Sequence, residues 1–322
     1  MKEIGGYLEF ENFGGREYHP GCLKLNLGRC AAAWFLNQAG CRTLYYPWFI
    51  CASVTDALTA AGIHLKRYRI RPDFRPEEAD LPEALGDDEW IFINNAYGQL
   101  TNSELAAYKQ RFTRILVDNT HAFFQKPADG AATLYSVRKF LGVTDGAYLY
   151  TDRDMDGPEE TDMSHGRFAH ILGRYEVDAG TFYQQMLANA HSYEGAAPAK
   201  MSPLTENILG GLDYDRIAER RMTNYLALRE HLANYNELEM SGHLRIPDIG
   251  PFVYPMLVSG GAALRKRLAA EKIFVPTYWS DLAEGAPSGS VERRYASDIL
   301  ALPCDQRYDE EDMRRVAQAV LA

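Results

Sequence analysis

The sequence predicts an α/β fold: a mostly parallel central sheet with helices on both faces, followed by a smaller α+β domain. Three observations carry this. From about Leu23 to Tyr150, short runs rich in β-branched and aromatic residues alternate with amphipathic stretches, several closed by glycine. Such alternation is the pattern of strand–helix units wound in parallel. Past Tyr150 it gives way to longer helical patterns. With 322 residues, 46% of them hydrophobic, the chain can bury one large core or two smaller ones.

Taken in order, LKLNLG leads into RCAAAWFLNQAG, a helix closed by Gly40. RTLYYP reads as a strand, and ASVTDALTAAG as a helix ending at Gly62. HLKRYRI, EWIFINN, RILVDNT and ATLYSVRKF follow as strands. NSELAAYKQRF is a helix between two of them, capped by Asn102 or Ser103. GAYLYTD is one more strand, with an antiparallel direction open to it. FAHILGRYEVDAGTFYQQMLANAHSYEG reads as mostly helical, and the small, polar EGAAPAKMSP as a hinge. The large domain then spans 1–195 and the small one 196–322. The small domain opens with a long helical pattern weakened at Gly210–Gly211. In it FVYPMLV and KIFVPTYW read as strands flanking the helix GGAALRKRLAAE. WSDLAEGAPSGS reads as a surface loop, and DEEDMRRVAQAVL as a capped terminal helix.

A net charge of -10 with interspersed signs argues against a nucleic-acid or membrane-surface binder. No run approaches the roughly 18–20 apolar residues of a spanning helix, and no signal peptide opens the chain. The five cysteines include no C-x-x-C pair, which fits free thiols in a reducing cytoplasm and no metal site.

Ligand sites of parallel α/β sheets lie at the carboxyl ends of the strands. Asp118 ends the apolar run RILVD, where a carboxylate is costly to bury unless paired; a helix cap is its other reading. Lys139 closes ATLYSVRKF just before the glycines of LGVTDG; a solvated lysine is its other reading. Together they have the order that a pyridoxal phosphate (PLP) enzyme needs. An amine holds the aldehyde as a Schiff base and later moves a proton, and an acid faces the protonated ring nitrogen. Gly28-Arg29-Cys30 stands at a strand-to-helix junction suited to a phosphate dianion. Tyr97 and Gln99 could line the pocket or pack at a strand end. Tyr278 and Trp279 could close over substrate or form an apolar edge. Arg293-Arg294 could bind a carboxylate or a sugar diphosphate.

The segments GRCAAAWFLNQAG, YYPWFICASVTDALTAAG, NAYGQ, LVDNTHAF and YSVRKFLGVTDGAYL, in this order, resemble the DegT-type sugar-nucleotide aminotransferase family, PLP-dependent enzymes of fold type I. The tail ILALPCDQRYDEEDMRRVAQAV resembles its closing strand and helix. The resemblance implies that Asp118 partners the pyridinium, that His121 lies near the ring hydroxyl, that Lys139 carries PLP and that Ser136 binds phosphate. It places the ring-stacking residue at Cys51, with Phe49 and Trp48 nearby. The chain departs from the pattern at the phosphate turn, where Gly-Thr/Ser-Ala is usual, and at Leu134, where serine is common. MSPLTEN occupies the place of the loop that reaches the neighbouring subunit's site.

The implied activity is transfer of an amino group from glutamate to a nucleotide-linked keto-sugar, in a homodimer with sites at its interface. Arg29 or Arg294 would meet the donor's second carboxylate. Lys139 favours transamination over sugar dehydration, in which a histidine takes its place. Two rivals remain: another PLP reaction or an amino-acid aminotransferase on the same scaffold, and a non-catalytic protein with a structural or regulatory role.

Overall fold

The structure, a computed structural model, describes residues 4–322. Its first part builds a seven-stranded sheet from β1 (Leu23–Leu25), β2 (Thr43–Pro47), β3 (His64–Tyr68), β4 (Glu89–Asn94), β5 (Ile115–Asp118), β6 (Ala132–Ser136) and β7 (Ala147–Tyr150). The spatial order is β1-β7-β6-β5-β4-β2-β3. The pairs from β3 through β6 are parallel, and β7 runs antiparallel to both its neighbours.

Period-two alternation sorts each strand's residues between two cores. Ile91, Ile93, Ile115, Val117 and Tyr135 face one, with Leu105 and Phe112 of α3 (Asn102–Phe112). Phe92, Leu116 and Leu134 face the other, with Phe35 and Leu36 of α1 (Gly28–Gln38) and Leu58 of α2 (Ala52–Ala60). Each such side chain, fully buried, contributes about 1.5–3 kcal/mol. At the last residues of β5 and β6 the same alternation turns Asp118 and Ser136 toward the α1 face.

The cap of α3 falls one residue earlier than the sequence suggests. Thr101 Oγ1 accepts the Glu104 N–H, and the Glu104 carboxylate accepts the Thr101 N–H at 2.8 Å, a reciprocal capping box. Asn102 instead donates to the Lys126 carbonyl.

After β7 come α4 (Ala169–Glu176) and α5 (Tyr183–His191), then α6 (Pro203–Gly210) and α7 (Tyr214–Leu232). The stretch read as a hinge is tied down: Ala199 O accepts the Asn26 N–H at 2.8 Å, and Met201 N–H donates to Lys24 O at 3.2 Å. Helix α7 belongs to two cores. Tyr214 and Ile217 pack on the sheet, whereas Tyr225, Leu228 and Leu232 join a separate C-terminal core. That core is completed by β8 (Tyr254–Leu257), α9 (Gly261–Ala270), β9 (Ile299–Leu302) and α12 (Glu310–Leu321), whereas Leu238 of α8 (Glu237–Met240), Leu282 of α10 (Leu282–Gly285) and Tyr295 of α11 (Val291–Asp298) join the core that contains Tyr214 and Ile217. Strands β8 and β9 pair antiparallel.

Two expectations fail here. KIFVPTYW is no strand: it leaves Lys272 at φ 61°, and Pro276 has no N–H to give to a ladder. Its alternation is real, with Ile273 and Val275 buried and Phe274 exposed, but the strand that pairs with β8 is ILAL. WSDLAEGAPSGS is not wholly a surface loop, because it contains α10 and buries Leu282 and Ala286. Among the described residues no helix is long and apolar enough to cross a membrane.

Candidate active site

Asp118 stands at the end of β5, level with Asn94 of β4 and Leu134 of β6. It is 7% exposed, and its Oδ1 accepts the Thr120 N–H at 2.9 Å. No α-helix starts there, so the residue caps a turn and not a helix. Burial pushes its pKa up; hydrogen bonds from Thr120 and the charge of Lys139 oppose that rise. A cation against this carboxylate would relieve the cost of burying it.

Lys139 ends the single helical turn Val137–Lys139 that follows β6. Water reaches its side chain from a cleft, yet protein surrounds that cleft. Burial lowers the pKa of its amine, and Arg138 and Arg29 lower it further; Cys51 and Asp118 act in the opposite sense. Its Nζ lies 4.9 Å from the centroid of the Tyr278 ring.

His121 is buried in a cage of rings. It stacks on Phe252 at 4.2 Å, with Tyr97, Tyr278 and Trp279 at 5.5, 5.5 and 5.4 Å. Burial and the Lys139 charge hold it well below the usual histidine range, hence neutral. The Tyr97 N–H points at Nδ1 from 3.4 Å, which leaves the ring proton on Nε2. Tyr97 itself adopts φ 54° and ψ 17°, a left-handed conformation that costs a tyrosine roughly 1–2 kcal/mol. Gln99 is spent on packing: its amide bonds the Arg245 backbone in both directions.

The first turn of α1 has no side-chain cap, so its N–H groups point outward unpaired by a cap. A methyl group placed on Gly28 would lie 3.5 Å from Ser136 Cβ and 3.9 Å from Thr120 Oγ1. Gly28, Ser136 and Thr120 therefore converge, with Thr120 an addition that DNTH could have signalled. Arg138 was also missed, although it adjoins Lys139; burial lowers its pKa and the nearby Arg29 charge lowers it further, and its guanidinium covers the Tyr193 ring at 4.5 Å. Cys30 is different. Its thiol turns away to the Ala196 carbonyl at 3.3 Å and is raised to about 11 by burial, so only its N–H faces the turn.

Of the three residues near the expected stacking position, Phe49 and Trp48 are otherwise engaged. Phe49 is 1% exposed and packs on Trp279 at 4.1 Å, so it is a core residue and not a cofactor contact. Trp48 lies under the Arg67 guanidinium at 4.0 Å. Cys51, just before α2, remains exposed and bears on Lys139. Arg294 is not at this site. It pairs with Glu237 and lines a separate cavity with Pro72 and His243.

The residues fit PLP: an amine in a cleft, a buried acid on the adjacent strand, and a helix start over two hydroxyls. No protein-family model and no curated protein matches the sequence. Solved structures do. A DegT DnrJ EryC1 StrS aminotransferase from Brucella abortus is 13% identical over 93% of this chain and 85% of its own, with a TM-score of 0.59. NtdA from Bacillus subtilis, solved with bound cofactor PMP, is 16% identical over 93% of this chain and 72% of its own, TM-score 0.63. DesI, solved in the presence of its TDP-sugar product, is 18% identical over 96% and 81%, TM-score 0.61. The chain thus has the fold of the DegT/DnrJ/EryC1/StrS aminotransferases, the PLP-dependent transferase fold type I.

Proposed function

We propose that this chain is a PLP-dependent aminotransferase acting on sugars, with glutamate as amino donor and a nucleotide-linked keto-sugar as acceptor. The observation that carries it is the placement of the buried Asp118 at the carboxyl end of β5 and of Lys139 in the turn that follows the neighbouring β6. The fold shared with sugar aminotransferases supports the same reading. Bound PLP would supply an electron sink for the substrate's Cα–H bond.

The chain's own groups do the rest. The first-turn N–H groups of Gly28, Arg29 and Cys30, with Ser136 and Thr120, hold the phosphate, and the Arg29 and Arg138 charges replace the usual hydroxyl of the turn. With PLP bound, the Asp118 carboxylate would keep a proton on the ring nitrogen, His121 Nε2–H would donate to the ring oxygen, and Cys51 would be the residue at the ring face. Lys139 holds the cofactor and then moves the substrate proton, and its lowered pKa leaves more free amine near neutral pH for that step. Tyr97 and Tyr278 shape the substrate side.

The protein acts as a homodimer in the cytoplasm, a compartment that suits its five free cysteines. Purified protein given PLP should show a cofactor absorbance band that glutamate shifts and a keto-sugar nucleotide restores. A protein that takes up no PLP refutes the reading. Restoration by simple 2-oxo acids alone replaces the sugar with an amino-acid substrate.

A further inference from the structure

Helix α7 carries a single charged side chain among its buried residues, Arg221. It is 2% exposed, and among the described residues it forms no ion pair. The nearby carboxylate of Asp305 is held instead by Arg307, through bonds of 2.7 and 2.8 Å. The hydrogen bonds of Arg221 go to backbone carbonyls on two separate segments. One terminal nitrogen donates to Pro251 O and Phe252 O, both at 3.1 Å, and the other to Phe140 O at 3.0 Å. The guanidinium also lies 4.5 Å from the centre of the Phe140 ring. Gln306 Nε2 donates to the same Phe140 carbonyl at 2.9 Å.

Both segments end at groups of the candidate site. Phe140 directly follows Lys139, and its N–H closes the turn onto Val137 O at 3.0 Å. Phe252 stacks on His121 at 4.2 Å and lies 5.6 Å from Tyr278, whose ring meets the Lys139 amine. One side chain of α7 therefore ties the Lys139 turn to the wall behind His121. A buried cation with no counter-charge is costly, and well-packed apolar atoms of the same volume would stabilise the fold at least as well. What they could not do is hold a turn and a loop to one point through directed bonds.

We propose that Arg221 is a positioning residue of this site: by clamping the Phe140 carbonyl to those of Pro251 and Phe252, it sets where the Lys139 amine stands relative to His121 and Tyr278. The inference rests on the aminotransferase reading and adds to it a residue that acts through Lys139. Proton transfer by Lys139 is sensitive to such placement, because a displacement of about 1 Å can cost on the order of a hundredfold in rate. The clamp also bears on the amine's acidity. Burial is the main cause of its lowered pKa; Arg138 and Arg29 add to the lowering, and Cys51 and Asp118 oppose it. A turn released from Arg221 admits water to the amine and lifts part of that lowering.

The test substitutes Arg221→Met, which keeps much of the volume and removes every donor. On the full chain before PLP is added, trace acetylation by acetic anhydride across a pH series, followed by peptide mapping, reads the Lys139 amine directly. Its midpoint should rise by about one pH unit relative to wild type. In the PLP-loaded protein kcat should fall about tenfold or more while KM stays within about twofold, since no substrate contact is lost. Arg221→Lys should restore neither value, because an ammonium carries its donors on one nitrogen and cannot span both segments. Circular dichroism and melting temperature, read on the same samples, separate lost placement from lost fold. A lower melting temperature with unchanged Lys139 midpoint and kcat assigns Arg221 to stability alone and overturns the proposal. So does a raised KM with kcat preserved, which makes Arg221 a substrate contact. If Arg221→Met does not fold, Gln306→Ala decides, because it removes the other donor to Phe140 O from a half-buried side chain. Its Lys139 midpoint should rise in the same direction, and no shift there overturns the clamp. If the PLP-loaded wild type responds to no amino donor, the aminotransferase reading fails, while the acetylation result still judges the clamp.

Discussion

The Lys139 amine lies 4.9 Å from the centre of the Tyr278 ring, bringing the turn after β6 against a loop of the later part of the chain. The ring also neighbours His121 and Phe252 at 5.5 and 5.6 Å. A cation over an aromatic face is stabilised by about 0.5–2 kcal/mol. Tyr278→Phe should therefore keep kcat/KM within a few-fold, whereas Tyr278→Ala should lose about tenfold or more. Equal losses in both would assign the effect to the hydroxyl instead.

Borohydride reduction of PLP-loaded protein, followed by peptide mapping, should place the pyridoxyl label on Lys139. Lys139→Ala should abolish the label and the turnover while leaving the fold intact, because among the described residues the side chain forms no ion pair. A label on another lysine would sink the assignment.

Asp118 gives a prediction with a sign. Its folded pKa is raised by burial above the ordinary value of about 4, so the native state binds more protons than the unfolded one. Without cofactor, ionisation then destabilises the protein as pH rises from that value through the folded pKa, and the penalty is complete above it. Asp118→Asn should leave the cofactor-free melting temperature at pH 7 equal or higher, and PLP-loaded turnover should collapse. Near-normal turnover in Asp118→Asn would assign the carboxylate to the turn alone.

Much of this site was legible because it depends on local rules. The α1 helix, the β5 and β6 runs and the order Asp118 then Lys139 follow from period-two and helical spacing along the chain. What was not legible depends on partners far away in sequence. Arg294 looked free until α8 supplied Glu237, and Phe49 looked available until Trp279 covered it. KIFVPTYW alternates as a strand should, yet lacks a neighbour to pair with, which no local pattern reports. The convergence of the Phe140, Pro251 and Phe252 carbonyls on Arg221 is of the same kind: two distant segments in sequence, one buried guanidinium in space.

A second pH effect comes from His19, which is fully buried. Its Nε2–H donates to the Phe123 carbonyl at 2.7 Å, while Nδ1 has no partner among the described residues. Protonation would bury an unsatisfied N–H, and burial accordingly lowers the pKa to about 4. A depressed histidine pKa leaves stability whole above about 6.5 and removes it as pH falls toward 4, on the order of 3 kcal/mol in total. His121, also held neutral, acts in the same direction. His19→Gln should flatten the melting-temperature profile between pH 6.5 and 4; an unchanged profile would show that the ring is solvated.

The last prediction concerns assembly. Helix α5 buries none of its residues, and beside it Tyr175 is 92% exposed, with Leu172 and Val177 also open. Near the N-terminus Tyr7 is 98% exposed, and Ile4 and Leu8 are nearly as bare. Isolated apolar side chains on a surface are ordinary, but two runs of large ones exceed what a lone subunit usually shows to water. Two-fold pairing would cover each run twice, since such interfaces are self-complementary. Sedimentation at micromolar concentration should give twice the monomer mass. The double variant Leu172→Ser, Tyr175→Ser removes no intramolecular burial at Tyr175, so it should keep its circular dichroism yet shift toward monomer. If the site draws on both subunits, turnover should fall in step with the loss of dimer. A wild-type monomer that turns over refutes the shared site, and a dimer indifferent to the double variant moves the interface elsewhere.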